Sequence, residues 1–108
     1  MLKAEFYIIK DGSITGFCIS GHSGYSESGT DIVCAAVSSA AYMAVNTMTE
    51  ILNADVDVQV AENLGIMKAF VSERDVCKCH DIIEGLKMHL ILLEEMYPDN
   101  IKVSYMEV

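Results

Sequence analysis

Between Ile32 and Leu52 apolar residues recur at three- and four-residue spacing, and this stretch lies between runs whose apolar residues alternate by two. Ile32, Val33, Ala36, Val37, Ala40, Tyr42 or Met43, Ala44, Val45 and Met48 give one broad apolar face of a helix. Thr30 or Asp31 is the natural N-cap. Seven small residues (Ala35, Ala36, Ser38, Ser39, Ala40, Ala41, Ala44) permit close approach of another backbone, either a sheet or a second subunit. A helix with so broad an apolar face needs a second layer to cover it.

The flanking runs supply that layer. Residues 3–9 are rich in strand formers, and Asp11-Gly12 signals a tight two-residue hairpin turn. Residues 13–20 return as a strand whose core face is left open: Ile14, Gly16 and Cys18 alternate against Thr15, Phe17 and Ile19. Residues 22–30 have no apolar period and form a loop, long for so small a domain. After a break at Asn53-Ala54-Asp55, residues 56–61 alternate with valines on one face, Asn63-Leu64-Gly65 turn, and residues 66–72 form the next strand. Ser72 with Asp75 three positions on predicts a capping box that starts a second amphipathic helix over 76–96. Tyr97-Pro98-Asp99-Asn100 end it, and residues 101–106 alternate as a last strand. The order is ββαββαβ: an α+β, two-layer fold with a mixed, mostly antiparallel sheet and two helices, in one domain spanning 1–108.

A chain of 108 residues with 52% hydrophobic content can bury a core without covalent staples. The net charge of −9 argues against nucleic-acid binding, which needs a basic face, and suits a basic partner as well as simple solubility. No apolar run is expected to reach membrane-spanning length, and the N-terminus lacks the long apolar core of a signal peptide. The expectation is a soluble cytoplasmic protein with no membrane contact. In that compartment Cys18, Cys34, Cys77 and Cys79 are expected as thiols rather than disulfides.

Chemistry concentrates at the start of the first helix. His22 and Cys34 stand twelve positions apart across the loop. With Thr30 or Asp31 as cap, Cys34 falls in the first turn, where backbone N–H groups have no intrahelical acceptor and the helix end carries about half a positive charge. Both favour a thiolate, and the same amides suit an oxyanion. His22 is then a base for Cys34 and an acid for a leaving amine. The bland alternative is a core cysteine and a surface histidine. Asp31 has two readings, helix cap or orienting partner of His22; Ser38, one turn beyond Cys34, is either a site residue or an ordinary helix residue. Cys77-Lys78-Cys79-His80 offers metal-ligand types, but a helix would set only Cys77 and His80 on one face, so no metal or cofactor is expected. His89 reads as a helix residue and the seven methionines as filler or interface.

Gly21-His22, a glycine-containing loop, and Asp31-Ile32-Val33-Cys34-Ala35-Ala36-Val37-Ser38 together resemble the ribosomal-processing cysteine protease family, Prp, and the likeness in length, hairpin and element order runs through the whole chain. The resemblance implies a cytoplasmic, homodimeric bacterial cysteine endopeptidase. It implies removal of the N-terminal extension of a ribosomal protein precursor, the twenty-seventh of the large subunit, after an apolar and often aromatic residue. Cys34 matches the nucleophile position, His22 the base and Gly21 the glycine at the strand end; Asp31 and Ser38 match positions near the site, and residues 23–30 the segment over it. Phe17, Tyr25, Met43 or the small-residue face of the first helix are candidates for the pocket that takes the aromatic residue. The rivals are a non-catalytic module that binds a ribosomal protein and a thiol redox sensor using Cys34 or the Cys77/Cys79 pair.

Overall fold

The computed structural model describes residues 1–21, 32–62 and 65–108. Five strands and two helices follow one another as β1 (Leu2–Ile8), β2 (Ile14–Ser20), α1 (Ile32–Asn46), β3 (Val56–Ala61), β4 (Ile66–Val71), α2 (His80–Met96) and β5 (Ile101–Glu107). The sheet order is β3-β4-β2-β1-β5, antiparallel except for the parallel pair β1 and β5. The α+β class, the element order and the mixed sheet are as expected from the sequence.

Pairing register settles which face of β2 is core. Phe17 lies opposite Phe6 on β1 and Ala69 on β4, and Ile19 lies opposite Ala4 and Met67. All six are buried and form one cluster with Val33, Val37, Ala41 and Ala44 of α1 and Ile83, Leu86 and Leu90 of α2. Each Val, Leu, Ile, Phe or Met side chain among them contributes about 1.5–3 kcal/mol when fully buried. Cys18 therefore sits on the other face of the sheet. Ile14 is nevertheless buried with the core, because the β1–β2 register slips between Tyr7 and Ile8. That slip is why simple alternation did not choose a face.

Two local details differ from the sequence reading. The hairpin loop is longer than two residues: the Gly12 N–H donates to the Ile9 carbonyl (2.9 Å), the Ile9 N–H to the Ser13 carbonyl (3.0 Å), and only Gly12 of the loop has a positive φ, +87°. This is a turn closed by a glycine bulge. The capping box at Ser72 does not form. Ser72 makes no side-chain cap bond, Glu73–Asp75 are a 3-10 turn, and α2 begins only at His80. The Asp75 carboxylate instead accepts the Asp55 N–H at 2.8 Å, tying the entry to β3 to the entry to α2. As expected, the helix that starts at Ile32 continues to Leu52 and breaks at the left-handed Asn53 (φ 52°), its last stretch, Thr47–Ile51, being a π-helical turn. The continuous stretch Ile32–Ile51 is long and apolar enough, by length and composition, to cross a membrane, contrary to the expectation that no run reaches that length. Here its buried stripe, from Val33 to Met48, lies in the shared core.

The two sheet edges are treated differently. At the β5 edge, the Val103 N–H donates to the Glu94 carboxylate of α2 at 2.8 Å. At the β3 edge, Val58 and Val60 are exposed.

Candidate active site

Cys34 is the third residue of α1, half-buried and packed against the core. It shares a cavity of about 270 Å³ with Ser38, Ala41 and Tyr42. These four positions are spaced i, i+4, i+7 and i+8, so one stripe of the helix forms a wall of the cavity. Ile19 and Met67, paired across β2 and β4, line it with Leu2. Val60 and Glu62, at the end of β3, and Gly65 and Ile66, at the start of β4, close the far side.

Gly21 belongs to the same cavity and fixes how β2 ends. Its φ is +88°, a region that L side chains avoid, and a Cβ there would stand 2.6 Å from the Met1 carbonyl oxygen. Its N–H donates to the Gly65 carbonyl at 3.0 Å. The chain therefore leaves β2 in a direction set by glycine, and His22 is the next residue. His22, Asp31 and residues 23–30 lie outside the described residues, as do 63–64. Of the predicted site residues, Gly21, Cys34 and Ser38 are brought together around one cavity.

The pocket candidates sort differently. Phe17 is wholly buried, its ring centroid 6.1 Å from that of Phe6, and does not line the cavity. Met43 faces a separate groove between α1 and α2, with Ser39 and His89. Tyr25 is outside the described residues. Of the small helix face, Ser38 and Ala41 contribute, and the apolar wall is completed by Tyr42 and Val60, which the sequence reading had not placed there. The i+8 spacing of Tyr42 from Cys34 was the available signal for the first. For Val60 no local signal exists, because its place depends on β3 lying beyond β4 in the sheet.

The remaining cysteines are placed for other roles. Cys79 is buried, and burial pushes its thiol up, with the nearby Asp75 adding to the effect. Cys77 is exposed in the turn before α2 and lines a small cavity together with His80, beside Ser13 and Ile14. The His80 ring pairs with Asp81 at 2.9 Å. Among the described residues no group of three or more His, Cys, Asp or Glu could hold a metal ion. Cys18 sits half-buried behind the sheet near Tyr7.

A sequence profile described as cysteine protease Prp matches residues 1–102. The Ribosomal processing cysteine protease Prp of Bacillus subtilis is 29% identical over 108 residues, covering 96% of each chain. The protein of the same name from Staphylococcus aureus is 25% identical over 105 residues, covering 97% of this chain and 99% of that one. Among solved structures, the S. aureus ribosomal processing protease Prp with a covalently linked product peptide superposes with a TM-score of 0.91 at 24% identity, over 98% of this chain and 100% of that one, a likeness of fold. SMU.848 from Streptococcus mutans superposes at 0.87 with 29% identity, over 100% of this chain and 96% of that one.

Proposed function

Because the chain belongs to the cysteine protease Prp family, whose profile covers residues 1–102, we propose that it is an endopeptidase with Cys34 as nucleophile and His22 as general base. The observation that carries this reading is the position of Cys34: first turn of α1, half-buried, on the wall of a cavity that Ser38 and Gly21 also line. His22 takes the Cys34 thiol proton, and the thiolate attacks the peptide carbonyl carbon, forming a C–S bond as the C=O π electron pair moves to oxygen. Amides of the first helical turn hydrogen-bond that oxyanion. Collapse expels the amine, which takes a proton from His22; water, deprotonated by the same imidazole, then hydrolyses the thioester and restores the thiolate. Asp31 orients His22 or caps α1, Ser38 supports the site by hydrogen bonding within the cavity, and Gly21 positions His22. The aromatic residue before the cut enters the apolar wall formed by Ile19, Ala41, Tyr42, Val60 and Met67.

The substrate in this reading is a basic ribosomal protein precursor, the twenty-seventh of the large subunit, cleaved at its N-terminal extension. Support comes from relatives named ribosomal processing proteases at 25% and 29% identity and from the net charge of −9, which suits a basic partner. Residues 1–108 act as one catalytic unit, in the cytoplasm where ribosomes assemble, and as a homodimer. The test is mass spectrometry of an N-terminal peptide of that ribosomal protein incubated with the native protein, Cys34→Ala and His22→Ala, each shown to be folded by circular dichroism. One cut made by the native protein alone is expected. A cut made equally by Cys34→Ala overturns the assignment of the nucleophile. Binding of the peptide without any cut by the native protein would favour a non-catalytic module.

A further inference from the structure

Glu62 is the one charged residue among the described residues that line the Cys34 cavity; every other lining residue is apolar, glycine or a hydroxyl, thiol or phenol. It sits just past the end of β3, is exposed, and shares the cavity lining with Cys34 and Ser38 of α1. Its backbone carbonyl accepts the Gly65 N–H at 3.1 Å, which anchors the residue without using the carboxylate. The acidic side chains elsewhere on the described surface are often occupied: Asp55 and Asp75 by Arg74, Asp75 also by Lys78, Glu84 by Lys87, and Glu94 by the Val103 amide. Among the described residues Glu62 has no ion-pair partner. A carboxylate at the mouth of a mostly apolar cavity sets a preference for one sign of charge in whatever enters.

Resting on the protease reading above, we infer that Glu62 is a specificity residue of this site: it selects peptides carrying a lysine or arginine beside the bond that is cut. The pair lies at a wet rim, so it contributes to substrate capture more than to the chemical step. Exposed ion pairs are modest, and neutralising Glu62 is expected to lower kcat/KM for a cationic peptide by about threefold, through KM, with kcat unchanged. The preference fades as salt screens it.

The experiment uses the full chain and a set of peptides in which each position from three before to three after the cut carries lysine, norleucine or glutamate in turn. At one position the native protein should prefer lysine over glutamate, Glu62→Gln should lose the preference, and Glu62→Lys should reverse it. Glu95→Gln removes the same charge from the exposed face of α2, and should leave the native preference intact. Equal rates across the charge series in native protein, or the same loss in Glu62→Gln and Glu95→Gln, would overturn the assignment to Glu62 while leaving the protease reading standing. If the native protein cuts none of the peptides, including the natural sequence, both the protease reading and the role of Glu62 are overturned.

Discussion

The Gly21 amide donates to the Gly65 carbonyl at 3.0 Å, and both glycines line the cavity that holds Cys34. This single bond ties the end of β2, from which the chain passes to His22, to the start of β4 on the far side of the cavity. Gly21→Ala puts a methyl 2.6 Å from the Met1 carbonyl oxygen at a φ of +88°. Backbone must shift to admit it, at a cost of about 1–3 kcal/mol. Urea denaturation should show that loss, and peptide cleavage by the folded fraction should fall as well, because the direction of exit from β2 changes. Unchanged stability and unchanged cleavage would show that this geometry is not required.

Tyr7 lies on the helix-free face of the sheet, stacked on Phe70 with ring centroids 5.2 Å apart across Gly16. Burial first, and then the Cys18 and Glu5 groups beside it, push its phenol up to about 12. A group whose pKa is raised on folding contributes stability below its unfolded value, near 10, and that contribution is lost as the pH climbs through 10 toward 12. Ultraviolet titration should show a tyrosine ionising near pH 12, and Tyr7→Phe should remove that phase and soften the alkaline loss of stability. A titration whose last phase is the same in Tyr7→Phe would assign it elsewhere.

Asp75 carries the link between the approaches to β3 and α2. The Asp55 amide, followed by the Lys78 and Arg74 charges, holds its carboxyl below the ordinary 3.8 despite burial. Depression on folding means that the stabilisation is present above about pH 4 and disappears as the pH falls through the folded value. Asp75→Asn should therefore lower the thermal midpoint at pH 7, with the gap to native protein closing below about pH 4. A gap of constant size from pH 7 to pH 3 would mean that the ionised carboxylate is not what stabilises.

Much of this fold was legible because each element advertised its own period. The alternating valines of 56–61 became β3, and the three- and four-residue spacing from Ile32 became α1 and its π-helical turn. Details that depended on distant parts of the chain were not legible. Ser72 and Asp75 have the spacing of a capping box, but the Asp55 amide, twenty residues upstream, claims the carboxylate. The slip between Tyr7 and Ile8 hid which face of β2 was core. At the site, Cys34, Ser38 and Tyr42 could be placed on one helical stripe from spacing alone, whereas Val60 and Glu62 reach the cavity only through sheet order.

Covalent trapping identifies the nucleophile, proposed to be Cys34. A peptide matching the residues before the cut, ending in a chloromethyl ketone, is incubated with the protein, and the adduct is mapped by mass spectrometry while cleavage is followed. One adduct is expected, on Cys34, rising in step with the loss of activity, with Cys18, Cys77 and the buried Cys79 unmodified. Activity lost with the label on another cysteine, or a folded Cys34→Ala protein that still cleaves, would contradict that assignment.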